Sequence, residues 1–170
     1  MYFLLMSLTL FVLPQLIVRF TLGYPIWDKR VRFVFYAAVL PIAWYIFIPK
    51  ELQDIRQVNF LQHAIGGGVA IGFISLYFIS IFKEKIPLWQ DSVKHSNPVF
   101  LFILEAVFVY ALVCIFGVAN EMLEFLLDHL GIGIFSADRY DTWYDLLANT
   151  SGAAMVFIVY KLYSFVKSVN

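Results

Sequence analysis

His63, Glu121, Glu124 and Asp145 are the residues best placed to do chemistry in an otherwise apolar chain. Glu121 and Glu124 stand three apart, with Asp128 four further on, a spacing that puts all three on one helix face. Asp141, Asp145 and Asn149 step by four, so they form a second polar stripe, with Gly152 close to it. Carboxylates with one imidazole are a donor set for a hard divalent cation or Zn²⁺. They also suit a carboxylate general base with His63 as its partner. Neither HExxH nor GxSxG occurs, and no hydroxyl is placed as an obvious nucleophile, although Thr142, Thr150 and Ser151 are near. The sequence requires no cofactor; a divalent metal is compatible with the donor set.

The elements that carry these residues are set by hydropathy. Of 170 residues, 62% are hydrophobic and only 14% charged, well outside the composition of soluble domains. Five apolar stretches run at about 2–22, 31–48, 60–82, 99–127 and 142–165, each close to or above the length that crosses a hydrocarbon core. Unpaired backbone groups are not tolerated in lipid, and the runs lack two-residue alternation, so helices are expected and a barrel is not. The expected fold is an all-α integral membrane bundle of about five transmembrane helices in one domain. Pro14, Gln15 and Arg19 interrupt the first stretch, and Pro41 is expected to kink the second. The N-terminal stretch lacks a basic leader and a small-residue cleavage site, and reads as a retained helix.

Basic residues give the expected orientation. Arg19, Lys29, Arg30, Arg32, Lys83, Lys85, Lys94, Lys161 and Lys167 fall on one side, against Lys50, Arg56 and Arg139 on the other. The excess marks the cytoplasmic side, which puts the N-terminus outside and the C-terminus inside. Without any input from the acids, that topology gathers His63, Glu121, Glu124, Asp141, Asp145 and Asn149 at the outer leaflet. Polar groups within spans face the bundle interior, because exposing a charge to lipid costs about 2.5 kcal/mol or more. The two stripes should therefore face each other.

Ala64, Gly68 and Gly72 form a small-residue ridge beside Gly66 and Gly67, suited to close helix packing, with Gly152 on the facing helix. Asp128 and Asp138 suit an interfacial, solvated role, and His95 and His129 should face solvent. Glu105 lies far from the acid cluster, where snorkelling or pairing with Lys94 or Lys161 would accommodate it. Cys114, the single cysteine, excludes an intrachain disulfide and reads as a small core residue. Zero formal net charge and the lack of a basic run exclude a nucleic-acid partner.

The stretch EMLEFLLDHLGIGIFSADRYDTWYDLLANTSGA, residues 121–153, resembles the VanZ-like membrane family and its YjdF-type relatives. Glu121 and Glu124 match a glutamate followed three residues later by a polar residue, and Arg139 corresponds to a loop arginine. Asp145, Asn149 and Gly152 match D-x-x-x-N-x-x-G; Asp141 is closer to the YjdF-type pattern, and His63 in QHAIGGG resembles a histidine of those families. The Pro-Gly that usually precedes the arginine is missing here and the connector is longer. The resemblance implies a polytopic cell-membrane protein, in some members linked to glycopeptide resistance, without an established reaction.

Four readings follow. The first is recognition of an envelope or lipid headgroup by His63, Glu121, Glu124 and Asp145, with Arg139 meeting an anionic group. The second is a membrane hydrolase or transferase, in its metal-dependent form using His63, Glu121, Glu124 and Asp145. A transporter or proton path is the third, and a subunit of a membrane complex or homo-oligomer the fourth.

Overall fold

The structure, a computed structural model, describes residues 2–49, 56–87, 89–91, 97–131 and 140–169. In chain order these form α1 (Tyr2–Leu22), α2 (Val31–Phe47), α3 (Arg56–Gln62), a π-helical segment (His63–Val69), α4 (Ala70–Lys85), α5 (Pro98–His129) and α6 (Asp141–Val169). The described residues are all-helical, without strands. Three continuous helical stretches are long and apolar enough to cross a membrane: Gln57–Lys85, Pro98–His129 and Thr142–Lys167. Two shorter apolar stretches, Ser7–Leu22 and Val31–Trp44, lie within α1 and α2.

Local chemistry sets the helix ends. α1 runs through Pro14, and the Gln15 side-chain Nε2 donates to the Phe11 carbonyl at 2.8 Å, adding a bond where the proline leaves the ladder one donor short. It stops at Gly23, whose φ of +63° lets Gly23 N–H reach the Arg19 carbonyl and Tyr24 N–H the Val18 carbonyl. α5 starts where the Asn97 side chain accepts from Val99 N–H at 2.8 Å, with Pro98 as its first residue.

α4 is the central post. Of the apolar core of the stretch Gln57–Lys85 that it completes, 72% is buried, against 17% for α5 and 28% for α6. One face of α4 packs with α1 and α2 through Val18, Val34, Ala37, Ala70, Ile74 and Ile81. The other meets α5 and α6 through Ile79, Val109, Val113, Ala153 and Phe157. α5 and α6 turn the rest of their apolar surface outward, including Phe100, Ile103, Val107, Ile115 and Ile158. Such continuous apolar faces fit lipid and not water.

One departure from the sequence reading concerns the third helix. A regular α-helix was expected through the small-residue ridge; residues 63–69 are instead π-helical. Gly66, Gly67 and Gly68 carry no Cβ and have little α preference, so the wider turn costs little there. The gain is contact. A Cβ built on Gly68 would stand 2.4 Å from the Asn149 carbonyl oxygen, and one on Gly152 would stand 2.0 Å from that of Ala64. One turn on, Gly72 makes room for the Val156 side chain, 2.8 Å from where a Cβ would stand. Helices in lipid gain nothing from the hydrophobic effect against each other, so this close backbone approach is what joins α6 to the π-helical segment.

Candidate carboxylate and histidine site

The junction held by those glycines carries the polar residues. Asp145, in the second turn of α6, is 1% exposed. His63 opens the π-helical segment and places Nε2 3.2 Å from Asp145 Oδ2. Asn59, one turn earlier on α3, donates from Nδ2 to Asp145 Oδ1 at 3.5 Å. From α5, Glu121 and Glu124 complete the cluster: one oxygen of each, with one of Asp145, all lie within 4.8 Å of one another. Asn120 Nδ2 donates to Glu124 Oε1 at 2.7 Å, fixing that carboxylate from its own helix.

Three carboxylates this close repel, by about 1 to 4 kcal/mol per pair at 4 Å, depending on how far water screens them. A protonated His63 offsets one charge only. A cation held between the three would offset more, and the geometry suits one. Oxygens on opposite sides of a calcium-sized ion stand about 5 Å apart, so small side-chain rotations would close all three onto one ion.

Asn149 is buried one turn beyond Asp145, against the Gly67 and Gly117 backbones, and its Oδ1 has no hydrogen-bond partner among the described residues. It belongs to the helix junction beneath the acids. Asp128 lies one turn past Glu124 and is not among the three clustered carboxylates. Asp141 begins α6, and nothing of its side chain is described. Arg139, Asp138, Lys94 and His95 lie outside the described residues. Sequence reasoning passed over Asn59 and Asn120. Both carried a signal: Asn59 is four before His63 and Asn120 four before Glu124.

A groove of about 270 Å³ opens beside the cluster between α5 and α6, lined by Val118, Glu121, Met122, Phe125, Thr142 and Leu146. Glu121 belongs to both, so the polar site leads into an apolar channel facing outward.

A second polar cluster sits towards the other end of the same helices. Glu105, 1% exposed, receives Lys83 Nζ on Oε1 and Lys161 Nζ on Oε2, each at 2.7 Å. Lys161 was an expected partner; Lys83 was not, because it lies just past the expected third stretch at 60–82. Glu105 and Glu121 are sixteen residues apart on α5, as are Asp145 and Lys161 on α6. At 1.5 Å per residue the two polar layers are about 24 Å apart, near the thickness of a hydrocarbon core.

Comparisons with known protein families, with curated proteins and with solved structures find no match to this chain.

Proposed function

We propose that the chain is a VanZ-like cell-membrane protein of five spans, with its N-terminus outside and its C-terminus in the cytoplasm. In this reading it binds the headgroup of an envelope or lipid amphiphile at the outer leaflet. The carboxylates of Glu121, Glu124 and Asp145 recognise a cationic headgroup, while His63 and Asn59 hold Asp145 in place. The apolar chain lies in the neighbouring groove. One observation carries this reading: Glu121 lines both the acid cluster and the groove. A polar head and an apolar tail therefore find complementary surfaces side by side.

The test uses photo-crosslinkable phospholipids with identical chains and different headgroups. An ethanolamine headgroup should direct labelling to peptides containing Val118, Met122 and Phe125. Glu121→Gln and Asp145→Asn should each abolish that preference while leaving membrane insertion intact. Equal labelling from ethanolamine and uncharged headgroups would rule the reading out.

The donor geometry favours a second reading, a metal-dependent hydrolase or transferase. The three carboxylates hold a divalent ion, and the His63–Asp145 pair serves as base for an attacking water. Metal analysis of purified protein, repeated on Glu124→Gln, separates the two. A stoichiometric ion lost in the variant supports the enzyme; no retained ion removes it.

A further inference from the structure

At the end of the bundle away from the acids, ion pairing follows two patterns. Arg30 pairs with Asp28 at 3.3 Å and with Glu84 at 2.6 Å, and Lys85 reaches Glu84 at 3.5 Å. Tyr24 accepts from Arg30, donates to Asp28, and offers its ring to both cations. Two cations meet two anions, and that network is neutral. In the other cluster two ammoniums meet one carboxylate. Asp91, the other described acid nearby in sequence, is exposed and makes no ion pair with either lysine.

The donors there outnumber the acceptors. Each ammonium lies 2.7 Å from one Glu105 oxygen, a charge contact without a formed hydrogen bond at Oε2, and its three N–H groups have no other ion-pair partner among the described residues. Lys83 and Lys161 keep 33% and 24% of their side-chain surface exposed, so neither is sealed inside the bundle. Lys161 is held against the Phe102 and Phe157 rings at 5.8 and 5.4 Å, which limits its freedom to swing away. Trp89 packs on Phe82 and Phe108, the neighbours of Lys83 and Glu105 along α4 and α5. Its indole Nε1 is buried without a hydrogen-bond partner among the described residues. Among the described residues one positive charge is therefore left over, and at a hydrocarbon boundary such a charge is costly unless an anion joins it.

We propose that Lys83 and Lys161, bridged by Glu105, bind a phosphate group, from an anionic phospholipid or from free phosphate. Glu105 holds the two ammoniums at a fixed separation, and their outward N–H groups receive the phosphate oxygens. The site lies on different residues from the acid cluster and stands whether or not that cluster binds a headgroup.

Native mass spectrometry of the full chain released from detergent tests this. Phosphatidylglycerol and diacylglycerol of the same acyl chains are compared as probes, since they differ in the glycerophosphate alone. Wild-type protein should retain one phosphatidylglycerol and no diacylglycerol. Lys161→Gln should raise the phosphatidylglycerol concentration for half occupancy by about tenfold, and Lys161→Arg should restore it. Lys83→Gln gives an independent reading if either variant fails to fold. Displacement of the lipid by millimolar inorganic phosphate identifies the phosphate alone as the ligand, and retention identifies the lipid-borne group. Equal retention of phosphatidylglycerol and diacylglycerol, or unchanged retention in folded Lys161→Gln and Lys83→Gln, overturns the proposal.

Discussion

The two polar layers are built from the same helices with opposite charge arithmetic. One gathers three carboxylates about a histidine; the other gathers two lysines about one carboxylate. Each layer draws on the helical stretch 57–85, on α5 and on α6. In the basic layer the carboxylate is the structural keystone, because without it two ammoniums face each other in a place with little water. In the acidic layer any one carboxylate is a source of repulsion that packing must overcome. Charge of the same sign therefore stabilises one end and strains the other. Strain retained in a fold is a mark of function more than of stability.

Neutralising Glu105 is expected to have the largest effect. Glu105→Gln leaves two ammoniums facing an amide and should cost about 3 kcal/mol, read as denaturant unfolding in detergent. A loss below about 1 kcal/mol would mean the triad is a loosely held surface pair, and the contrast between the layers would fail.

Next in size is the junction that holds the acid layer together. Gly152→Val places carbon where the Ala64 carbonyl now sits, so α6 must retreat from the π-helical segment. The expected cost is about 2 kcal/mol. The two layers should respond unequally. His63 should become more reactive towards diethyl pyrocarbonate at the peptide level, as it separates from Asp145. The Lys83–Glu105 pair spans α4 and α5 and should survive. Unchanged His63 reactivity in a destabilised variant would show that the junction does not position the site.

The third expectation reverses the sign of the first. Glu121 lines the open groove and makes no hydrogen bond to another described residue, so Glu121→Gln removes repulsion without breaking a contact. In chelator the variant should be more stable than the parent by about 1 kcal/mol, the screened end of the pairwise range. With millimolar calcium or magnesium the order should invert, since the parent gains a ligand-bound state that the variant loses. Lower stability of Glu121→Gln in chelator would show that the acids are already compensated.

Much of this is legible in the sequence, for physical reasons. Helical periodicity put Glu121 with Glu124 and Asp145 with Asn149, and the cost of charge in lipid turned those stripes inward. His63 joined them because it begins the stretch that faces both. The π-helical segment was not legible: three glycines in a row read equally as an α-helical packing ridge, and only the α6 backbone against them decides the wider turn. Lys83 was misassigned because hydropathy ends the span at Phe82, whereas the helix continues to Lys85 and carries Lys83 back to Glu105. The groove depends on the angle between α5 and α6, which no local pattern encodes. Arg139 and the Asp141 side chain, both part of the family resemblance, lie beyond what the structure describes.

The smallest expected effect comes from the neutral network beside the basic triad, and it supplies the internal control. Burial alone would raise the Asp28 pKa, but the Lys29 and Arg30 backbone amides, the Tyr24 hydroxyl and the Arg30 guanidinium together hold it below the usual carboxylate value. A carboxylate with a depressed folded pKa adds stability above its unfolded pKa, near 3.8, and that stability is lost as pH falls through the lower folded value. Asp28→Asn should therefore weaken the protein slightly at neutral pH, by less than about 1 kcal/mol for a partly exposed pair. The parent's advantage should shrink only below about pH 4, the ordinary range for a carboxylate. Asp28→Asn leaves Arg30 and Lys85 with Glu84 alone, so it should not lower phosphatidylglycerol retention, whereas loss of Lys161 should. If Asp28→Asn lowers lipid retention as strongly as Lys161→Gln, the two networks act as one basic surface, and the triad is not a site of its own.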